Sequence, residues 1–536
     1  MKKLVIVALI AGVFTFDSIQ AQEKASPLER KSEGVSKLDA LLTVINYAYV
    51  DKVDNEKMVE DAIVGMLKEL DPHSVYIPEK DLKKMNEPLE GNFEGIGIQF
   101  NILKDTLTVV SPISGGPSEK LGIQSGDKII SIDKENVAGT GLTNLDVQQK
   151  LRGKKGTVVS VEIKRRGAKK LLPFDIVRDK IPLFSIDASY MATPEIGYIK
   201  VNRFAKTTMN EFSMALDSLK DKGAENLILD LRGNGGGYLH TAYRLADEFL
   251  DQGKMIVYTQ GDKQSKEEYK ATSKGQFEKG KLVVLIDEGS ASASEIVSGA
   301  IQDWDRGMVI GRRSFGKGLV QKPFPLPDGS AIRLTTARYY TPTGRSIQRP
   351  YEDGKVKYYG EINRRYKSGE LMEKDSINFP DSLKYYTPHK RIVYGGGGIM
   401  PDIFIPLDTS FNSELYSNLI RRGVYNEFVL TYLDKNRKVV LKEYPTFLDF
   451  NTKFVLDSTL KADFWKFAEK KEVEKNEDEF KRSEKLINVQ LMALMARNLY
   501  TNSTYFEVIN QLNDSYLEAI NVIQSDEFEK AKLEYD

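Results

Sequence analysis

Between residues 178 and 350, apolar runs that fit buried strands alternate with stretches that fit amphipathic helices. This alternation limits what the chain can fold into more than any other feature. Ile196–Val201, Leu227–Leu231, Val283–Ile286 and Met308–Ile310 are the runs, with helical patterns over Met209–Leu219 and Leu239–Leu250. Strands buried on both faces read as unbroken apolar runs, and parallel neighbours need helical crossovers, so an α/β core is expected. The run Val283–Ile286 leads into Gly289-Ser290-Ala291-Ser292-Ala293-Ser294-Glu295. A turn of small residues between a strand and a helix exposes a hydroxyl beside the positive end of the helix dipole, a good place for a serine nucleophile. Taken alone, the stretch fits a helix cap better, because Ser292 and Glu295 have capping-box spacing.

Composition removes several alternatives. The 536 residues allow several domains, and 77 basic residues balance 77 acidic ones. No global charge therefore favours nucleic acid or an anionic membrane. There is no cysteine, which excludes disulfides, thiolate metal sites and cysteine nucleophiles. The three histidines, His73, His240 and His389, form no H-E-x-x-H pattern, so neither metal nor cofactor is expected. Lys2-Lys3, an apolar stretch from Leu4 to Phe16 and then Ala21-Gln22 describe a secretory signal peptide over residues 1–21. That apolar stretch is short for a membrane span, which needs about 20 residues. The mature chain is expected to be exported and soluble, with the periplasm as its place.

Residues 22–84 read as helical, with Leu38, Leu41, Leu42 and Ile45, then Met58, Ala62 and Met66, at helical spacing. The second of these helices ends at Leu70-Asp71-Pro72-His73-Ser74, where His73 reads as a turn residue. Residues 85–177 change to short strands and turns. Gly95-Ile96-Gly97-Ile98, the short helix Pro117–Ile123, the turn Ser125-Gly126-Asp127, a helix over Leu145–Leu151 and a last strand Val158–Ile163 follow in order. This stretch resembles a PDZ domain. Its glycines leave backbone N–H groups free to hold a terminal carboxylate, and the strand behind them accepts a peptide by β-augmentation. Residues 353–393 read as a polar, tyrosine-rich insertion, and residues 408–536 as helical and charged. There Phe506, Ile509, Leu512, Tyr516, Ile520 and Ile523 make one apolar stripe, for internal packing or for a second copy or an adaptor.

Gly311-Arg312-Arg313-Ser314-Phe315-Gly316-Lys317-Gly318 matches G-x-x-x-x-G-K, the start of a phosphate loop. Gly318 stands where the magnesium-binding hydroxyl should be, and Pro323, Pro325 and Pro327 forbid the helix that should follow. A nucleotide is therefore not expected. Lys317 instead suits a general base, provided that burial lowers its pKa. Gln321, four residues on, falls on the same side in a helix or a strand and could orient the amine.

Taken together these segments resemble the C-terminal processing (tail-specific) serine peptidases, peptidase family S41. The resemblance rests on Gly289–Ile296, Gln302-Asp303, Ser314–Gly318 with Val320-Gln321, Arg338–Ile347 and the turn Leu231-Arg232-Gly233-Asn234-Gly235-Gly236-Gly237. It covers residues 35–405 and implies Ser292 as nucleophile, Lys317, 25 positions on, as base, and Gln321 as its positioner. It also implies an oxyanion hole from the N–H of Ala293 and of Gly236 or Gly237. Its fold would be a ClpP/crotonase-like α/β core over residues 178–407, with an inserted PDZ domain and flanking helices. In such a protein the PDZ loop Gly95, Ile96, Gly97 and Ile98 would capture substrate C-termini, and Arg152 would link PDZ position to the active site. His240, close to the glycine turn, leaves room for a rival Ser–His pair, though that would not account for Lys317. A reading of a different class is a catalytically silent PDZ protein that binds C-termini. Intact serine, lysine, glutamine and glycine turns argue against it.

Overall fold

The computed structural model describes residues 33–377 and 380–535. The expected signal peptide lies outside the described residues. The chain divides into two compact units at Met66/Leu67. In the first, the helix Glu33–Ala48 and most of Asn55–Lys68 follow the periodicity read from the sequence. No helix among the described residues is long and apolar enough to cross a membrane.

The second unit is built on a six-stranded sheet. Its order is Ile186–Thr193, Ile196–Val201, Asn226–Asp230, Leu282–Ile286, Met308–Gly311, Ile403–Phe404. The first pair is antiparallel and the others are parallel. Side chains alternate across a strand, so the apolar runs serve two cores. Leu227, Leu229, Val284 and Ile286 pack with Phe212, Leu216, Leu245, Val297 and Ile301 of three helices. Ile228, Val283, Leu285 and Ile310 face the other way, onto Tyr516, Ala519, Val522, Ile523 and Phe528 from the C-terminal end of the chain. The predicted apolar stripe is thus used inside the molecule. It is also not one helix: Asn502–Ile509 and Asp514–Gln524 are separated by a 3₁₀ turn at Asn510–Leu512. The rest of the C-terminal region, from Glu414 to Leu499, forms a helical bundle with its own core.

The PDZ-like sheet runs Ile98–Ile102, Leu107–Pro112, Lys128–Ile132, Val158–Lys164, Leu172–Val177. Two details differ from the sequence reading. Residues 85–90 belong to a helix, Glu79–Glu90, which tolerates Pro88 and ends on Gly91 at φ 73°. Leu172–Val177 adds a strand after the one expected to be last. Both crossings between this domain and the rest of the chain are paired, Asn92–Gly95 against Asp179–Pro182, so the insert hangs on a two-stranded ribbon. A further sheet joins Leu319–Pro325 to Ala331–Tyr340, with Val75–Ile77 and Met255–Gly261 on the far side of the latter.

Candidate active site

Three serines stand in the turn after Leu282–Ile286, and the structure separates them. The Ser290 hydroxyl donates to the Leu231 carbonyl at 2.8 Å, and the Ser294 hydroxyl donates to that of Asn234 at 2.8 Å. Both side chains are buried and spend their hydroxyls fastening this turn to the glycine turn of residues 231–237. Ser292 is only half-buried and sits at φ 56°, ψ −109°, a conformation that costs a non-glycine residue free energy. It caps the helix Ala293–Asp303. Glu295 supplies its half of the capping box by accepting from the Ser292 N–H at 2.7 Å, whereas the Ser292 hydroxyl makes no cap hydrogen bond of normal geometry. The cap reading is therefore met through the Glu295 carboxylate.

Glu295 does more than cap. It is fully buried, and its carboxylate accepts from Ser292 N–H, the Ser314 hydroxyl at 2.5 Å, Gly316 N–H at 2.6 Å and Lys317 N–H at 2.9 Å. Burial pushes its pKa up, and these donors pull the other way. On the opposite side the Tyr339 hydroxyl lies within hydrogen-bonding reach of the carbonyls of Ser292, at 3.0 Å, and of Lys317. One carboxylate and one phenol thus yoke the main chains of the serine and the lysine. The far end of the serine helix is pinned as well. Asp303 holds buried Arg345 at 2.6 Å and accepts from the Thr343 N–H and hydroxyl, which explains why those motif residues stand away from the chemistry.

The Lys317 amine donates to Gln321 Oε1 at 3.1 Å. Burial pushes its pKa down, with a lesser push from Arg333, while Glu295 and Asp71 oppose. Gln321 Nε2 in turn donates to the His73 main-chain carbonyl at 2.5 Å. His73, read from the sequence as an ordinary turn residue, is therefore part of the site. Its own pKa is pushed down to about 4, by burial first and by Lys317 second. No local pattern could reveal this, since Gln321 lies 248 residues downstream.

Gly236 approaches Ser292 closely. A Cβ on it would lie 2.9 Å from the Ser292 Cβ and 2.8 Å from the Ala291 carbonyl. Its N–H, however, donates to Asn234 Oδ1 at 2.9 Å, so it is not the free donor that an oxyanion hole needs. Gly237 differs. The bridge it forms with Phe204 uses the Gly236 carbonyl and the Tyr238 N–H, which leaves the Gly237 N–H out. Ala293, first in its helix, likewise has no intrahelical acceptor. His240 is exposed and stacks on Tyr238 at 5.1 Å. Neither its imidazole nor the Lys317 amine, which donates to Gln321, makes a hydrogen bond to the Ser292 hydroxyl.

The PDZ loop residues Gly95, Ile96, Gly97 and Ile98 lie apart from these groups, beside the edge strand Ile98–Ile102. Gly97 sits at φ 75°, a backbone conformation that disfavours any side chain, and a Cβ there would also come 2.9 Å from the Ile181 Cδ1, which would have to shift. Arg152 does not reach Ser292. It pairs with Glu87 at 2.6 Å and lies over the Phe93 ring at 4.5 Å. Glu87 and Glu90 share the helix Glu79–Glu90, and Tyr238, next to Gly237, donates to Glu90 at 3.2 Å.

The model of peptidase family S41 matches residues 195–354, and that of the PDZ domain matches 108–165. Residues 10–81 match the activating protease CtpB N-terminal domain, and 415–501 match a family of unknown function, DUF8443. The carboxy-terminal processing protease CtpB of Bacillus subtilis is 37% identical over 348 residues, 63% of this chain and 72% of that protein. The chain belongs to peptidase family S41. A second relative of this peptidase, the carboxy-terminal-processing protease of Bartonella bacilliformis, is 37% identical over 351 residues, 64% of this chain and 80% of its own. A solved structure, photosystem II D1 C-terminal processing protease, matches at 26% identity and a TM-score of 0.35, covering 69% of this chain and 88% of that one. This chain is a serine-type C-terminal processing peptidase with a PDZ domain.

Proposed function

We propose that this peptidase works through Ser292 and Lys317, with Gln321 holding the lysine. The observation that carries the reading is the half-buried Lys317 amine, its pKa lowered and its N–H fixed on Gln321, on a main chain yoked to that of Ser292. Neutral Lys317 accepts the Ser292 proton as the oxygen attacks the scissile carbonyl, and the resulting ammonium protonates the departing amine. Water then cleaves the ester with Lys317 again as base. The N–H groups of Gly237 and Ala293 hold the negative oxygen. One such donor is typically worth ~3–4 kcal/mol of barrier.

The PDZ domain captures the substrate's C-terminus by strand addition, for which the edge position of Ile98–Ile102 leaves one side open. Arg152, through Glu87 and the helix that also carries Glu90, links that domain to the turn bearing Gly237. Export, with the periplasm as destination, rests on the basic and apolar N-terminal stretch Lys2–Phe16.

The test is cleavage of an unfolded protein with an apolar C-terminus by wild type, Ser292→Ala and Lys317→Ala, with products identified by mass spectrometry. Wild type alone should cleave, with activity rising with pH as the lysine loses its proton. Full cleavage by either variant would sink the dyad.

A further inference from the structure

The inserted segment 353–393 has no part in the chemistry above, yet one of its helices, Lys355–Tyr359, rests on the turn that carries His73. The Tyr358 hydroxyl lies 2.8 Å from His73 Nε2, and the Tyr359 hydroxyl donates to the Pro72 carbonyl at 2.8 Å. Both rings meet the imidazole edge to face, at 5.2 and 6.2 Å. The turn is stiff from within too. Asp71 accepts from His73 N–H at 2.7 Å, Ser74 N–H at 2.9 Å and the Ser74 hydroxyl at 2.5 Å. Tyr358 is itself held. Arg349 stacks over its ring at 4.0 Å and over Phe315 at 3.8 Å, pairs with Glu361 at 2.5 Å, and donates its N–H to the Gly316 carbonyl at 3.0 Å.

The direction of the Gln321 amide depends on this grip. A side-chain amide can present either oxygen or NH₂ to a neighbour, whereas a main-chain carbonyl can only accept. With the His73 carbonyl on one side, Gln321 must turn Nε2 towards it and Oε1 towards Lys317. An acceptor there takes one N–H of the neutral amine and fixes how it is rotated about its own bond. The lone pair is then aimed rather than averaged. If the His73 carbonyl moved away, the amide could flip and offer a donor to the base.

We propose that Tyr358 and Tyr359 are positioning residues for the base: by holding the Asp71–Ser74 turn they keep the His73 carbonyl on Gln321, and so keep Lys317 aimed. The proposal rests on the Ser–Lys reading and gives the insertion a task at the same site.

The test is a cycle with the full chain: Tyr358→Phe/Tyr359→Phe, Gln321→Ala, the triple variant and Lys317→Ala, each with kcat, KM and melting midpoint. The tyrosine pair should lose roughly tenfold in kcat, the scale of one hydrogen bond, with KM within about twofold. In the Gln321→Ala background the same two changes should cost nothing further. Unchanged kcat in the tyrosine variant, or the same tenfold loss without Gln321, would overturn the proposal. Where Gln321→Ala already sits at the Lys317→Ala floor, loss of kcat at constant KM and constant midpoint decides alone. Lys317→Ala cleaving like wild type would instead strike down the dyad itself, which separates the two failures.

Discussion

At the scale of single residues, the site is assembled from groups whose other options have been removed. Ser290 and Ser294 are tied to carbonyls, Gly236 is tied to Asn234, and Ser292, Gly237 and Ala293 remain. His73 shows the electrostatic side of the same arrangement. Its folded-state pKa of about 4 lies below its ordinary 6.5, so between those values the unfolded chain binds the extra proton. The stability this contributes is complete above about pH 6.5 and is lost as pH falls towards 4. Urea unfolding at pH 7 and pH 5 should show that drop in wild type and a smaller one in His73→Phe, which retains the main-chain carbonyl. Equal drops would mean that the imidazole is not held neutral by the fold. The proposed dyad comes from the family resemblance, which rests on local motifs: the serine turn, the glycine turns and a lysine 25 positions after Ser292. His73 and Glu295's second role were not legible in the sequence, because both depend on contacts made only when distant segments meet.

At the scale of elements, the helix Glu79–Glu90 connects two places that the sequence kept apart. Its start falls in the helical N-terminal region 22–84 and its end in the stretch 85–177, which reads as short strands and turns. The PDZ fold itself was readable from ordered glycine turns, but the paired ribbon that suspends it was not, because its two strands come from opposite ends of the insert. On its other side the domain touches the C-terminal bundle, where Arg437 donates to the Ser125 hydroxyl at 3.1 Å and Arg166 to the Asp434 carbonyl at 2.6 Å. An insert on a ribbon needs such struts to define its position. Arg152 faces Glu87 and Phe93, so Arg152→Ala should leave the affinity of the PDZ domain for an apolar C-terminal peptide within about twofold. It should slow cleavage of tailed substrates about fivefold or more, as expected for loss of a partly buried charge pair. Peptide titration beside cleavage rates checks this, and a parallel loss in both would place Arg152 in the groove instead.

At the scale of the whole molecule, the residues proposed for the chemistry end at Gln321, yet the core is not finished until residue 535. The face of the central sheet carrying Ile228, Val283, Leu285 and Ile310 is covered by Tyr516, Ala519, Val522, Ile523 and Phe528. The end of the chain is also tied by its main chain, Gly280 N–H to the Tyr535 carbonyl at 2.7 Å and Glu534 N–H to the Asp305 carbonyl at 2.8 Å. The periodicity of this stretch was visible, but a stripe alone does not say whether it faces its own sheet or another molecule. Uncovered strands of an α/β sheet leave a contiguous apolar surface in water, which favours association and unfolding. A chain ending at residue 501 retains Ser292, Lys317 and Gln321 and should nonetheless aggregate or lose its cooperative melting transition. Phe528→Ala, a smaller insult to the same layer, should cost about 3–5 kcal/mol while leaving kcat/KM of the folded fraction near wild type. Size-exclusion chromatography and thermal melts decide it. A monodisperse truncated chain melting with the wild-type midpoint would show that this layer is dispensable and that the sheet is stable with one face bare.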